Sequence, residues 1–150
     1  MSDKIYVTDI ERAPQSQVGA TLESLSETIR QRHESGDASS YTSQLLSGPL
    51  DKILKKVSEE ALEVGLAANE CEMLALLGGC ADGDAASTLD ASIDHLRYES
   101  ADVVYHLLVL LERFCIDIDE FAAELNYRMR EDERPEGCVL LHDEHVKRGK

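Results

Sequence analysis

Five carboxylates have the types and spacing to do chemistry: Glu59, Glu60 and Glu63 in DKILKKVSEEALEVGLAANE (51–70), and Glu99 and Asp102 in RYESAD (97–102). At about 100° per helical residue, Glu60 and Glu63 share one face, as do Glu99 and Asp102, with Cβ atoms about 5–6 Å apart in each pair. Brought together on facing helices, these groups would repel one another unless a divalent cation lay between them. Ligation by oxygen alone favours Mg2+, with Mn2+ as the alternative, over zinc. Such a cation commonly bridges protein carboxylates and substrate phosphates, so the pattern points to water attack on a phosphoanhydride. The bland alternative is a solvated acidic face, which for Glu59, Glu60 and Glu63 alone is an even match. Glu99 and Asp102 tip the balance, because carboxylates among apolar neighbours are costly to bury without a task. Lys52 and Lys56 continue the acidic face and are read as a phosphate clamp at the mouth of the site. Lys55 is read as a partner for a glutamate one turn on, an exposed pair of little energetic weight.

Positioning these groups requires helices. Leu22, Leu25 and Ile29 predict a first helix over 21–33 with Thr21 as its N-cap, closed by the turn chemistry of 35–40. A short segment, 41–46, precedes Gly48 and Pro49, and Pro49 suits the first turn of the second helix. On that helix Ile53, Leu54, Val57, Ala61, Val64 and Ala68 form an apolar stripe, with Lys52, Lys56, Glu59, Glu60 and Glu63 on a separate face. Residues 71–77 continue it or form a short extra helix before Gly78 and Gly79 interrupt. Asp82, Gly83 and Asp84 hint at a calcium loop but lack its further ligands, so they read as an exposed loop. A third helix is expected from Asp90 to about Phe114, apolar nearly all round and therefore central, with a core face of Leu96, Val103, Leu107 and Leu110. A fourth follows the turn at 116–121, with acids in its first turn and Arg128 and Arg130 near its end, in keeping with the helix dipole. Residues 1–20 read as an arm with a short β-compatible run at 4–8, and 131–150 as a charged tail.

Composition narrows the class. A chain of 150 residues with 43% apolar but only 5% aromatic residues and no Trp fits one all-α domain with an aliphatic core. A formal charge of −15 argues against nucleic acid or an anionic membrane as partner. Four cysteines at irregular spacing, with no opening signal segment or membrane-length apolar run, suggest reduced thiols in a soluble, cytoplasmic protein. A zinc site from Cys138, His142 and His145 is set aside as coincidence.

The stretches SYTSQLLSGPLDKILKKVSEEALEVGLAANE and LRYESADVVYHLLVLLE resemble the phosphoribosyl-ATP pyrophosphohydrolase family of histidine biosynthesis, within the all-α, MazG-like nucleoside triphosphate pyrophosphatase superfamily. The resemblance spans about 22–125. It implies a bundle of four main helices, completed in a homodimer or larger homo-oligomer, and cleavage of 1-(5-phosphoribosyl)-ATP to 1-(5-phosphoribosyl)-AMP and pyrophosphate. Carried over residue by residue, it implies Glu60, Glu63, Glu99 and Asp102 as Mg2+ ligands, with Glu59 ligating a further metal or, like Glu60, taking a proton from the attacking water. Lys52 and Lys56 would meet phosphate, and Ser40, Tyr41 and Thr42 would contact substrate phosphates or ribose. His106 falls where helices pair and is expected in the core or behind the ligands. A functional link to a separate cyclohydrolase is also implied. The long stretch between Glu63 and Glu99 departs from the family, so 70–90 reads as an insertion, an extra helix and flap. The same metal chemistry in a house-cleaning nucleoside triphosphate pyrophosphohydrolase, or a non-enzymatic helical module with a merely solvated acidic face, are the alternatives.

Overall fold

The computed structural model describes residues 17–78 and 84–141. The expected arm strand at 4–8, the loop at 82–83 and the histidines of the discarded zinc site lie outside them. Among the described residues there is no strand, and the all-α expectation holds. The elements are α1 (Val18–Ser35), α2 (Tyr41–Ser47), α3 (Leu50–Gly78), α4 (Asp84–Arg113) and α5 (Ile118–Arg128), followed by a 3-10 turn at Glu131–Glu133. None is long and apolar enough to cross a membrane. Contacts divide the chain into two compact units at Leu110 and Leu111.

In the first unit α1 ends at Gly36, whose φ of 61° is left-handed, with its N–H donated to the His33 carbonyl. The chain turns on Asp37, whose carboxylate accepts from the Ser39 N–H at 2.9 Å, and enters α2 through Ser40 as N-cap. Ile29 of α1, Leu45 and Leu46 of α2 and Ile53 of α3 are buried, and α2 packs on both α1 and α3. Each fully buried side chain of this size contributes about 1.5–3 kcal/mol. Between α2 and α3 the backbone passes so close that a Cβ on Gly48 would sit 2.8 Å from the Gln44 carbonyl oxygen. Only glycine fits there without a shift.

Several boundaries and faces differ from expectation. Helix α1 starts at Val18, so Thr21 is not its cap; its N–H already donates to the Gln17 carbonyl. Helix α4 starts at Asp84 rather than Asp90, while α3 continues to Gly78, one of the two readings of 71–77. The stretch 70–90 is thus largely a prolongation of α3 and α4. On α3 the most buried positions are Ile53, Glu60 and Ala67, one every two turns, while Leu54 is exposed. The buried face includes Glu60 instead of standing apart from the acids. On α4 the line Ser92, Glu99, His106 is buried, whereas Tyr98 and Val104 are exposed. This polar seam faces inward beside the buried Leu108 and Val109.

In the second unit α4 closes with a Schellman motif. Ile116 N–H donates to Leu111 O at 3.0 Å and Cys115 N–H to Glu112 O at 2.9 Å. Cys115 carries φ 54°, a left-handed conformation that costs a side chain with a Cβ. Cys115→Gly is therefore expected to raise the urea midpoint, with a gain of about 0.5–1 kcal/mol, whereas Cys115→Val lowers it. Helix α5 begins with a full capping box, Asp117 accepting from Asp119 N–H at 2.8 Å and Glu120 accepting from Asp117 N–H at 2.9 Å. The chain beyond α5 folds back: buried Asn126 donates its side-chain amide to Val139 O at 2.9 Å, and Arg134 Nε donates to Asn126 O at 3.0 Å. Arg134 and Val139, within the stretch read as a tail, are thus tied to α5.

Candidate metal centre

Glu60 on α3 and Glu99 and Asp102 on α4 each offer a carboxylate oxygen, all within 4.8 Å of one another. Glu60 and Glu99 are only 4% and 6% exposed, and Asp102 is half-buried. Three carboxylates this close and this dry cannot all stay ionised cheaply. Two partners relieve part of the charge. Lys56, one turn before Glu60, donates to Glu60 Oε1 at 2.8 Å. His95, one turn before Glu99, lies with Nε2 2.9 Å from Glu99 Oε1. The other Glu99 oxygen, Oε2, is buried without any hydrogen-bond partner. An orphaned carboxylate oxygen inside an all-oxygen cluster fits a hard divalent cation.

The protonation of the glutamates follows the same geometry. The Lys56 hydrogen bond holds Glu60 below the ordinary carboxylate range against its burial, and Glu60 in turn raises Lys56. Glu63 moves the other way: desolvation, then repulsion from Glu99 and the neighbourhood of Glu60, push it above 4.5. Its side chain is exposed beside the cluster, within electrostatic reach of two ligand candidates, although it is not one of the three converging groups. Glu59 is turned toward the lysines, with carboxylate oxygens 3.2 Å from Lys55 Nζ and 3.7 Å from Lys56 Nζ. It too stands outside the converging three. Lys52 is exposed at the start of α3.

Tyr41 and Thr42 lie against α4 through their side chains, while Ser40 serves α2. Ser40 caps α2, accepting from the Ser43 N–H at 3.4 Å. Thr42 is 1% exposed, its hydroxyl 2.8 Å from the Tyr105 hydroxyl and accepting from Arg32 Nη1 at 3.1 Å. Tyr41 is half exposed, its hydroxyl 3.4 Å from His106 Nε2. His106 is buried behind the ligands, with Nδ1 2.9 Å from the Asp102 carbonyl and 4.0 Å from Glu60 Oε1. Sequence reasoning passed over His95, Arg32 and Tyr105. His95 was findable, since His and Glu four apart on a helix are neighbours. Arg32 and Tyr105 were not, because their meeting at Thr42 joins three helices.

The family model for phosphoribosyl-ATP pyrophosphohydrolase matches residues 22–129. The chain is 39% identical over 107 residues to the phosphoribosyl-ATP pyrophosphatase of Lactiplantibacillus plantarum, covering 71% of this chain and 82% of that protein. It is 37% identical over 109 residues to the protein of the same description from Pyrobaculum calidifontis, covering 73% and 95%. The histidine biosynthesis bifunctional protein HisIE of Halalkalibacterium halodurans is 37% identical over 114 residues, covering 76% of this chain and 43% of that longer protein. No solved structure gives a significant match. All the carboxylates, lysines and hydroxyls described above fall within the matched span, and the chain belongs to the phosphoribosyl-ATP pyrophosphohydrolase family.

Proposed function

We propose that this chain hydrolyses 1-(5-phosphoribosyl)-ATP to 1-(5-phosphoribosyl)-AMP and pyrophosphate in histidine biosynthesis, using Mg2+, or Mn2+ in its place. The observation that carries the reading is the convergence of Glu60, Glu99 and Asp102 around the orphaned Glu99 oxygen, inside the span shared with the family. Glu60, Glu99 and Asp102 would hold the cation, with Glu63 completing the set from the side. When bound, a divalent cation supplies neutralisation of phosphate charge and acidifies a water. The protein's own groups do the rest. Lys56 and Lys52 meet the phosphates from the start of α3, and Lys56, already bonded to Glu60, ties the phosphate side of the site to the carboxylate side. Glu60 or Glu59 takes the proton of the attacking water; Glu59 stands nearer solvent, which suits proton release. Ser40, Tyr41 and Thr42 contact substrate phosphate or ribose, directly or by holding the segment in place.

Assembly as a homodimer or larger homo-oligomer, work in the cytoplasm, and a partnership with a separate cyclohydrolase belong to the same proposal. The bifunctional relative supports the last of these. Pyrophosphate release with Mg2+ from phosphoribosyl-ATP, measured beside ATP and dUTP, tests the reading. Phosphoribosyl-ATP is expected to be preferred strongly. Equal rates on all three would replace the assignment with a house-cleaning nucleoside triphosphate hydrolase, and no release from any would leave a non-enzymatic helical module.

A further inference from the structure

Arg32, near the end of α1, is exposed yet tied at both its backbone and its side chain. Its carbonyl accepts from the Ser43 hydroxyl at 2.6 Å and from the Ser35 hydroxyl at 3.0 Å, and its Nη1 donates to Thr42 Oγ1 at 3.1 Å. Thr42 is 1% exposed and lies 2.8 Å from the Tyr105 hydroxyl, so α4 fixes the hydroxyl that holds the arginine. A free arginine loses much rotamer freedom on meeting a ligand; this one has given up part of it beforehand. Thr42 takes one of the guanidinium N–H groups and leaves the rest of the planar fork to a visitor. The bland reading is a cation that complements the dipole at the end of α1. That role asks for charge near the last carbonyls of α1, and not for a bond to a buried hydroxyl on the next helix.

Charge is the second observation. Arg30, two residues earlier, is spent on Glu27 and Glu34 at 2.7 and 2.6 Å. Arg32 has no carboxylate partner among the described residues. In a chain of 30 acidic and 15 basic residues, an arginine kept clear of carboxylates suits an anion from outside. Its place selects which anion. Arg32 and the carboxylate cluster stand at opposite ends of one chain of contacts. From Arg32 it passes through Thr42 and Tyr105 to the His106 ring, 5.0 Å from that of Tyr105, and on to Glu60 Oε1, 4.0 Å from His106 Nδ1. The triphosphate belongs at the carboxylate end, with Lys52 and Lys56. The substrate carries one other anion, the 5-phosphate of its phosphoribosyl group, and a phosphate monoester accepts two parallel bonds from a guanidinium fork. Resting on the proposed function, we infer that Arg32, held by Thr42, binds this 5-phosphate and thereby selects phosphoribosyl-ATP over ATP. Arg32 is the specificity residue and Thr42 a positioning residue.

The test compares kcat/KM for phosphoribosyl-ATP, for its counterpart with the 5-phosphate removed, and for ATP. The wild-type chain is expected to prefer phosphoribosyl-ATP to the dephosphorylated counterpart by about 10–100-fold, the range for hydrogen bonds to charged groups. Arg32→Gln should bring that ratio to about one through a higher KM for phosphoribosyl-ATP. Arg32→Lys keeps the charge but loses the fork, and should leave an intermediate ratio. Thr42→Val keeps the volume of the buried side chain without its hydroxyl and should erode the same ratio. Equal slowing of all three substrates in Thr42→Val would make that hydroxyl purely structural and overturn its assignment. Equal kcat/KM for the first two substrates in the wild type, both above ATP, overturns the inference and leaves the proposed function standing. A wild-type ratio in either Arg32 variant does the same. Equal rates on all three substrates, or no release from any, overturn both.

Discussion

Glu60→Gln and Asp102→Asn are each expected to lower pyrophosphate release by at least about a hundredfold while leaving the helical far-UV signal and the melting temperature close to wild type. Loss of groups that merely support a metal ligand costs about 10–100-fold, so loss of a ligand belongs at or beyond the upper end. The fold should survive because both substitutions keep shape and hydrogen-bonding capacity while removing one charge from a cluster whose members lie within 4.8 Å. In Glu60→Gln the amide oxygen can still accept from Lys56, and Lys56, 39% exposed at its side chain, can turn its charge to water. Little stability rests on that pair, since a partner open to solvent is well screened. Steady-state pyrophosphate release beside a thermal melt separates the outcomes. Wild-type turnover in either variant would mean the cation is held elsewhere. Lost turnover with a collapsed melt would mean the carboxylate serves the fold.

The second large effect is on stability, without any substrate. Mg2+ at about 100 times its Kd should stabilise the chain by about 2.7 kcal/mol, equivalent to a rise of roughly 5–10 °C in melting temperature at this size. The rise should depend on pH, with a sign set by Glu63 and Glu60. Glu63, raised by desolvation and by its neighbours Glu99 and Glu60, contributes stability that is fully present below about pH 4.5 and is lost as pH climbs through its folded pKa. Glu60, lowered by Lys56, contributes in the opposite sense: its share is present above about pH 4.5 and lost as pH falls through its folded value. Raising pH from 4.5 therefore adds charge to the metal-free cluster and removes the Glu63 share, and the Mg2+ effect should grow over that window and then level off. Glu63→Gln should flatten the growth. Melts with Mg2+ or EDTA across pH 4.5–7.5 read this directly. A shift of the same size at every pH would detach the cluster from the cation, and no shift in wild type would dismiss the site.

The family and the helical class were readable from local pattern, for a physical reason. Helix periodicity is a property of consecutive residues, and it is enough to put Glu99 and Asp102 on one face and to foresee α5 from its acidic start, which turned out to be a capping box. Burial is not local. The apolar stripe expected on α3 misplaced its inner face, because hydropathy counted Glu60 as an outside residue, and the protein buries it at 4% exposure. On α4, by contrast, burial of Glu99 and His106 was expected, and both are buried beside Leu108 and Val109. At 70–90 the start of α4 was misjudged, at Asp84 and not Asp90, whereas α3 continues through 71–77 to Gly78, one of the two readings offered by the sequence.

From the residues alone came four of the five helices, α2 having read only as a short segment, and which carboxylates share a face, because a side chain three or four positions away is a neighbour whatever the rest of the chain does. Tertiary structure decided what those faces meet. Approach of α3 to α4 gathers Glu60, Glu99 and Asp102 and strands one Glu99 oxygen; packing of α2 on its neighbours turns Tyr41 toward His106 and hides Thr42. Distances between helices depend on every buried side chain at once, and no spacing along the chain encodes them.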